Sequence, residues 1–198
     1  MRLLIASNNK HKVREIKEIL SKYYTDIMSL KDAGIDIDVV EDGTTFMENA
    51  LKKAHEVLQA SNFDAVLADD SGLMVDALDG APGVYSARFA GEGHDDDANN
   101  AKLIEVMKDV DDDKRTCRFV TVAVIARKGK KDITATGYVE GKLLREKRGE
   151  NGFGYDPLFY YEPFGKTFAE MNEQEKNSVS HRKNALEGVR KALEEEEK

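Results

Sequence analysis

Two adjacent carboxylates, Asp69 and Asp70, begin an Asp-Asp-Ser-Gly run that ends at Gly72. The run follows the apolar residues 65–68, which are typical of a short buried strand. Open α/β sheets bind ligands at the ends of their strands. Two adjacent carboxylates at such a place repel each other, which is unfavourable unless a cation neutralises them or one of them serves in proton transfer. A solvated Asp-Ser-Gly turn suits the same residues equally well. The run alone therefore leaves a metal site and a polar turn equally open.

A second polar segment, Ser7-Asn8-Asn9-Lys10-His11-Lys12, lies between a strand predicted over residues 3–6 and a first helix. A strand-to-helix junction directs free backbone N–H groups and the positive helix end at whatever lies above it. Lys12 adds a charge that can meet a phosphate. The segment lacks the spacing of a P-loop, so taken alone an ordinary polar helix cap explains it better.

A third carboxylate, Glu41, precedes a second predicted helix and lies about thirty residues before Asp70. Carboxylates from two separate loops suit Mg²⁺, which needs one or two of them together with waters and substrate phosphates. In isolation Glu41 is better explained as a charged turn residue. Lys53, on that second helix, either faces a cleft or lies on a solvated face beside Lys52.

The segment Gly152-Phe153-Gly154-Tyr155-Asp156-Pro157 places two glycines around an aromatic residue. Such glycines allow close backbone approach and expose the ring. Phe153 is then able to stack on a base while Asp156, or the backbone beside it, bonds to the base edge. The alternative is a tight turn in which Phe153 and Tyr155 pack inward, as aromatic residues commonly do.

The last predicted helix begins with cations. Ser180 has the character of an N-cap, which places His181 and Arg182 in the first turn, with Lys176 shortly before. Cations there oppose the helix dipole, so their presence indicates an anion nearby. Two exposed surface cations are the alternative, at a cost of only roughly a few tenths of a kcal/mol.

Composition limits the class of protein. The chain has 198 residues, of which 40% are hydrophobic and 34% charged, enough for one substantial core or one domain split into two lobes. The net charge of −8 argues against nucleic-acid binding, and no apolar run approaches the roughly 18 residues of a membrane span. No signal peptide is predicted. Cys117 is the single cysteine, which excludes an intrachain disulfide and fits a reducing, cytoplasmic location.

The elements that must position these residues alternate between strands and helices. Apolar periodicity predicts helices within residues 13–23, 46–58, 95–107 and 181–193, and strands over 3–6, 65–68, 119–126 and 133–139. The last two strands form a hairpin through the turn 127–131. The pattern predicts an α/β protein with a mixed sheet. The acidic residues 194–197 suggest a frayed, solvated helix end within a C-terminal tail, 194–198.

Taken together and in order, these segments resemble the inosine triphosphate pyrophosphatase family from residue 3 to about 192. The segments that carry the resemblance are residues 7–12, 41–50, 68–73, 80–88, 152–157 and 180–182. The resemblance implies one domain over 1–198, an elongated mixed β-sheet with flanking helices, and two lobes with the active site in the cleft between them. It also implies a homodimer that needs Mg²⁺ and contacts neither nucleic acid nor membrane. Such enzymes cleave the noncanonical purine nucleotides ITP, dITP and XTP to the monophosphate and pyrophosphate.

The resemblance also implies residue roles. Ser7, Asn8, Asn9, Lys10, His11 and Lys12 would hold the phosphates, with Asn9 and Lys12 the strongest contacts. Glu41 and Asp70 would hold the metal, and Asp70 would be the proton acceptor. Ser71 would touch substrate, and Phe153, Gly154, Tyr155 and Asp156 would bind the base. Lys176, His181 and Arg182 would complete these contacts, with Lys53 as a supporting cation.

Two departures and two rival functions accompany this resemblance. The family often has Gly where this chain has Asn8 and His11, and the role of Asp69 stays undecided. One rival is a Maf-like pyrophosphatase acting on modified pyrimidine or other nucleotides, whose motifs differ from 152–157 and 180–182. The other is a non-catalytic nucleotide sensor, which has little need of both Glu41 and Asp70.

Overall fold

Residues 1–196 are described by a computed structural model, apart from the side chain of His11. Within them a mixed seven-stranded sheet has the order β2-β1-β3-β4-β5-β6-β7. The strands are β1 Arg2–Ile5, β2 Asp26–Ser29, β3 Ala65–Val75, β4 Thr116–Arg127, β5 Ile133–Leu143, β6 Phe159–Tyr161 and β7 Lys166–Thr167. The α-helices are α1 Lys10–Leu20, α2 Phe46–Gln59, α3 Asp96–Val106, α4 Glu173–Val179 and α5 His181–Glu196. Strand β1 is parallel to both β2 and β3, whereas β6 is antiparallel to both β5 and β7.

The chain divides into two compact units. The first contains residues 1–70, 121–137 and the chain from 182 onward, and the second contains residues 71–120 and 138–181. Strands β3, β4 and β5 contribute residues to both units. Each unit has a hydrophobic core of its own.

The first unit buries both faces of its strands, because successive strand residues point to opposite sides. Odd-numbered strand residues pack with α1 and α5, and even-numbered ones pack with α2. The first group is Leu3, Ile5, Ala65, Leu67, Ala123 and Ile125, with Ile16, Leu20, Ala185 and Val189 from the helices. The second is Leu4, Val66, Ala68, Val122 and Val124, with Ala50, Ala54 and Val57. Burial on both faces explains why these strands are continuously apolar.

The second unit is built around aromatic rings. Phe119 on β4 lies 4.6 Å from Phe159 and 5.7 Å from Phe168, measured between ring centroids. Leu103 from α3 and Met107, the residue directly after that helix, are fully buried in the same cluster. This core fixes the chain on either side of the segment 152–157.

The predicted starts of the helices near residues 46, 95 and 181, and the predicted hairpin, are confirmed. Thr45 caps α2, and its hydroxyl accepts a hydrogen bond from the backbone N–H of Glu48, whose side chain accepts one in return. Asp95 caps α3, α5 begins at His181, and β4 and β5 flank the predicted turn. Each signal depends on residues close together in the chain, so the sequence alone carries it.

The prediction that Asp69–Asp70 lie at a strand end or in a turn is wrong. Strand β3 continues through both residues to Val75. Its parallel partner β1 pairs only with residues 65–67, so β3 extends beyond the carboxyl end of β1. The neighbour on the other side, β4, has twelve residues and matches the eleven of β3. The carboxylates therefore lie within strand β3, next to the point where β1 ends.

The prediction of a frayed C-terminal end is also wrong as far as the described residues reach. Helix α5 extends to Glu196, whose carboxylate accepts hydrogen bonds of 2.6 and 2.8 Å from Arg127. Glu194 accepts one of 2.9 Å from the Tyr23 hydroxyl. The rest of the predicted tail, residues 197–198, lies outside the described residues. None of the described helices combines the length and apolarity needed to span a bilayer.

Candidate functional site

The segment after β1 forms the start of α1. The side-chain carbonyl of Asn9 accepts a hydrogen bond of 3.2 Å from the backbone N–H of Lys12, so Asn9 caps the helix. Asn8 accepts one of 2.8 Å from the backbone N–H of Lys31, which ties the segment to the chain after β2. Both residues thus shape a helix N-terminus, which is a general anion-binding feature. The expected contact from His11 lies outside the described residues.

Asp69 joins two cations of the first unit. Its carboxylate lies 2.8 Å from Lys12 Nζ and 3.3 Å from Arg182 Nε, and its side chain is only 6% exposed. Burial by itself raises the pKa of Asp69, but Lys12 and Arg182 outweigh it and hold that pKa below its usual range. Burial, against the pull of Asp69, lowers the pKa of Lys12. Asp69 therefore holds the two cations together at the end of β1.

Glu41 and Lys53 form a second ion pair, with 2.6 Å between Oε1 and Nζ. Partial burial lowers the pKa of Lys53, yet the hydrogen bond and charge of Glu41 prevail and raise it. Asp42 and Lys52, which adjoin Glu41 and Lys53 in the chain, form another ion pair, with 2.6 Å between Oδ1 and Nζ. Lys53 therefore faces Glu41, and the alternative of a freely solvated lysine beside Lys52 is wrong.

Asp70 is held by a residue to which sequence reasoning gave no role. Asn49, which is 2% exposed on α2, donates from Nδ2 to Asp70 Oδ2 at 3.0 Å. Its Oδ1 accepts from the backbone N–H of Gly43 at 2.7 Å. Asn49 lies within the 41–50 motif, but no local pattern indicates that its side chain meets a strand twenty-one residues further along.

The donor set fits Mg²⁺ bound together with a nucleotide. Among residues 1–196, no cluster of three or more His, Cys, Asp or Glu side chains is arranged to hold a metal ion unaided. Mg²⁺ does not require one, since it retains waters and takes one or two carboxylates plus substrate phosphates. Glu41 and Asp70 are hard oxygen donors of this kind, and both are only partly buried.

The second unit arranges an exposed ring, a buried carboxylate and a lysine. Lys176 Nζ forms a close ion pair with Asp156 and lies 4.7 Å from the ring centroid of Phe153, which is 57% exposed. Asp156 also accepts from the backbone N–H of Phe153 at 2.9 Å. Gly152 has φ +80°, and a Cβ there would lie 2.0 Å from Asp156 Oδ2. Only glycine allows this turn.

Comparison with known proteins assigns the family. The sequence profile of the Ham1 family matches residues 3–192. The chain belongs to the Ham1 family. It is 52% identical over 199 residues to the dITP/XTP pyrophosphatase of Clostridium perfringens, with 97% of each chain covered. The dITP/XTP pyrophosphatase of Bacillus subtilis is 46% identical, with 96% of each chain covered.

Solved structures of similar proteins share the fold. The Staphylococcus aureus Ham1 protein superposes with a TM-score of 0.90 at 40% identity, covering 99% of this chain and all of its own. The dITP/XTP pyrophosphatase of Mycobacterium abscessus gives a TM-score of 0.78 at 39% identity, covering 92% of this chain and 95% of its own. The predicted family and the predicted mixed α/β fold are both confirmed.

Within this Ham1 chain the predicted site residues divide between the units. The first unit holds the predicted phosphate and metal residues, and the second holds the predicted base residues with Ser71 and His181. The first group is Ser7, Asn8, Asn9, Lys10, His11, Lys12, Glu41, Lys53, Asp70 and Arg182. The second is Ser71, Phe153, Gly154, Tyr155, Asp156, Lys176 and His181.

Tyr155 has a structural side chain. It is 4% exposed, its hydroxyl donates to the Ser86 carbonyl at 2.8 Å, and burial raises its pKa. The Tyr155 ring therefore belongs to the hydrophobic core of the second unit. Its neighbour Gly154 is held by α3, because its N–H donates to Asp96 at 2.7 Å and its carbonyl accepts from Asn100 at 2.8 Å.

His181 and Arg182 are not the exposed cations of the alternative interpretation. The His181 ring is 7% exposed and stacks on Phe119 at 4.9 Å between ring centroids. The Arg182 side chain is 11% exposed and meets Asp69. Both side chains are thus ordered by packing at the first turn of α5.

Proposed function

We propose that this Ham1 protein hydrolyses the noncanonical purine nucleotides ITP, dITP and XTP to the nucleoside monophosphate and pyrophosphate. The observation that carries the proposal is the Lys12–Asp69–Arg182 triad beside Asp70, at the point where β1 ends. It offers two ordered cations to a polyanion, next to a carboxylate. The names of the Clostridium perfringens and Bacillus subtilis relatives support the same substrate class.

In this proposal the first unit binds the triphosphate. Lys12 and Arg182 meet phosphate oxygens, the N-terminus of α1 adds backbone N–H groups, and Lys53 supports them. The cations are already ordered by Asp69 and Glu41, so little side-chain entropy is lost when the anion binds. Developing negative charge on the leaving pyrophosphate is stabilised by the same groups.

Glu41 and Asp70 hold the metal, which we propose is Mg²⁺. When bound, the ion supplies charge neutralisation and Lewis-acid polarisation of the phosphates. Asp70 accepts a proton from the attacking water as its oxygen bonds to the α-phosphorus. The bond between that phosphorus and the oxygen bridging to the β-phosphate breaks, and pyrophosphate leaves with the bonding electron pair.

The second unit selects the base. Phe153 stacks on it, and Lys176, held by Asp156, donates to the 6-oxo group shared by hypoxanthine and xanthine. Adenine presents an amino group there, so the hydrogen bond from the lysine to the base would not form. The unmade hydrogen bond disfavours adenine by about 1–3 kcal/mol.

The proposal extends to assembly and location. Tyr85 and Tyr138 are each about half exposed, and tyrosine is enriched at protein interfaces, which supports a homodimer. Sedimentation at several protein concentrations tests the dimer, and a concentration-independent monomer contradicts it. We also propose a cytoplasmic location, because the proposed substrates are nucleoside triphosphates, which are made and used there.

One assay separates the candidate functions. Pyrophosphate release is measured over ITP, XTP, dITP, ATP, GTP and dUTP, each with and without Mg²⁺. The proposal expects release from ITP, dITP and XTP that depends on the metal. Preference for dUTP would favour the Maf-like alternative, and no release from any nucleotide would favour the sensor.

A substitution then tests the role of Asp70. Asp70→Asn should abolish turnover while leaving ITP binding measurable by calorimetry, because the amide neither accepts the proton nor neutralises the metal. Near-normal turnover in this variant would remove Asp70 as the base. Asp42→Asn, whose exposed carboxylate pairs with Lys52, serves as the control and should retain turnover.

A further inference from the structure

The loop that carries Glu41 is folded back onto the first turns of α2. Glu48 accepts hydrogen bonds from the backbone N–H groups of Thr44 and Thr45, at 2.7 and 3.2 Å, and from the Thr44 hydroxyl at 2.8 Å. These contacts hold the loop at residues 44–45. Glu41 and Asp42 form ion pairs with Lys53 and Lys52 through their side chains, and the backbone at residue 43 is held by one further contact.

Asn49 makes that contact. Its Oδ1 accepts from the backbone N–H of Gly43 at 2.7 Å, two residues after Glu41. The approach is close, since a Cβ on Gly43 would lie 2.7 Å from Asn49 Oδ1 and 2.8 Å from the Cβ of Glu48. Glycine at 43 and asparagine at 49 are therefore matched to each other.

The same amide reaches the second carboxylate. A backbone N–H can only donate, so the carbonyl end of Asn49 must face Gly43 and the NH₂ end must face Asp70. Nδ2 lies 3.0 Å from Asp70 Oδ2, and Asn49 is 2% exposed. One buried side chain thus joins the loop of Glu41 to the strand of Asp70.

We propose that Asn49 is the positioning residue that sets the separation and orientation of Glu41 and Asp70, and thereby tunes their affinity for a divalent cation. The inference rests on the proposed function of these two carboxylates. A hydrogen bond to Oδ2 opposes rotation of the Asp70 carboxylate about its Cβ–Cγ bond. Removing a side chain that hydrogen-bonds a metal ligand typically lowers the metal affinity or the activity by roughly 10–100-fold.

The experiment uses the full chain and three variants. Asn49→Ala removes both contacts of the amide. Asn49→Asp keeps its shape and the acceptor for Gly43 but replaces the donor to Asp70 with an acceptor. Asn99→Ala is the matched control, because Asn99 is also buried and bridges backbone groups of Ala90 and Ala87, remote from both carboxylates in the chain. Circular dichroism melting verifies the fold of each variant.

Two readouts distinguish positioning from general stability. Free Mn²⁺ counted by electron paramagnetic resonance, in the presence of a non-hydrolysable ITP analogue that supplies the phosphate ligands, should show Asn49→Ala binding the ion about 10–100-fold more weakly than wild type. At saturating Mg²⁺, Asn49→Asp should lose at least about tenfold in kcat for ITP with KM little changed, because Asn49 touches no substrate in this proposal. Asn99→Ala should match wild type in both.

Each outcome has a separate meaning. If wild type binds Mn²⁺ and releases pyrophosphate but Asn49→Ala binds Mn²⁺ as Asn99→Ala does, the positioning role is overturned. Wild-type kcat in a folded Asn49→Asp would also overturn it. If the wild-type protein neither binds Mn²⁺ nor releases pyrophosphate from any nucleotide, the proposed function itself fails.

Discussion

Lys12 Nζ lies 2.8 Å from Asp69 Oδ2, joining the first helix to a strand fifty-seven residues later in the chain. Arg182 Nε adds a second cation to the same oxygen at 3.3 Å. Since the Asp69 side chain is 6% exposed, this carboxylate is a structural counter-ion rather than a solvated charge. It keeps two cations ordered where a triphosphate is proposed to bind.

Replacing Asp69 with Asn should therefore weaken both the fold and the site. The amide matches the carboxylate in shape but leaves Lys12 and Arg182 without their counter-charge. Breaking a buried ion pair from one side costs about 3–5 kcal/mol, and because Lys12 is 20% exposed we expect the lower end for Asp69→Asn. Urea denaturation measures the free energy of unfolding.

The exposed pair of Arg2 and Asp26 supplies the control for this prediction. Their side chains are 48% and 49% exposed and their charged atoms are 3.8 Å apart. Asp26→Asn should cost less than about 1 kcal/mol. If the two Asp→Asn variants unfold at the same urea concentration, Asp69 does not contribute to stability as a buried counter-ion.

Acid should remove the contribution of Asp69. Burial alone raises the pKa of this carboxyl, but Lys12, Arg182 and Lys53 lower it below its ordinary value of 3.8. A carboxyl whose pKa is lower in the folded state than in the unfolded state stabilises the fold fully at pH values above its unfolded-state pKa. That contribution is lost as the pH falls through the folded-state pKa. The stability difference between wild type and Asp69→Asn should stay constant from pH 7 to about pH 5 and shrink below about pH 4. A difference that grows on acidification would contradict this assignment.

Local signals explain which parts of the fold could be predicted from the sequence. The cap of α2 depends on Thr45 and Glu48, and the start of α5 follows Ser180, so short stretches of chain determine both. The continuation of β3 through Asp69 and Asp70 has another cause, which is the length of its neighbour β4. Strand extent is set by hydrogen-bonding partners, and the residues within one segment do not reveal them.

The same distinction applies to the candidate site. Motifs in the sequence identified most residues of the site, but they did not show which side chains contact each other. Asp69 and Arg182 are 113 residues apart in the chain, and Asn49 on a helix contacts Asp70 on a strand. In the sequence, single charged residues such as Lys53 and Glu41 cannot be distinguished from ordinary surface residues, because only the folded structure shows that they pair. The buried asparagine carries no charge signal at all, which is why sequence reasoning gave it no role.

Lys176 should control which purine is accepted. Lys176→Met keeps the apolar stem beside Phe153 but removes the donor proposed for the 6-oxo group. The ratio of kcat/KM for ITP to that for ATP should then fall by about 5–150-fold, the equivalent of 1–3 kcal/mol. Activity on ITP should also fall, because Asp156 is 2% exposed and loses its cation.

Lys166 is a matched control within the same unit. It forms an ion pair of 2.7 Å with Glu175, and its side chain is 41% exposed. Lys166→Met should leave the ratio of ITP to ATP activity unchanged. An unaltered ratio in Lys176→Met would show that another group recognises the base.

The end of α5 should contribute measurably to stability. Arg127, whose side chain is 3% exposed, donates to both carboxylate oxygens of Glu196 and also to the Lys131 carbonyl. Glu196→Ala leaves part of that buried guanidinium without acceptors, at a cost of about 1–3 kcal/mol. For a chain of this size that corresponds to a fall in Tm of roughly 2–12 °C. Glu195→Ala, at the adjacent exposed position, should change stability by less than about 0.5 kcal/mol. Equal melting temperatures for the two variants would mean that the helix end is not held by Arg127.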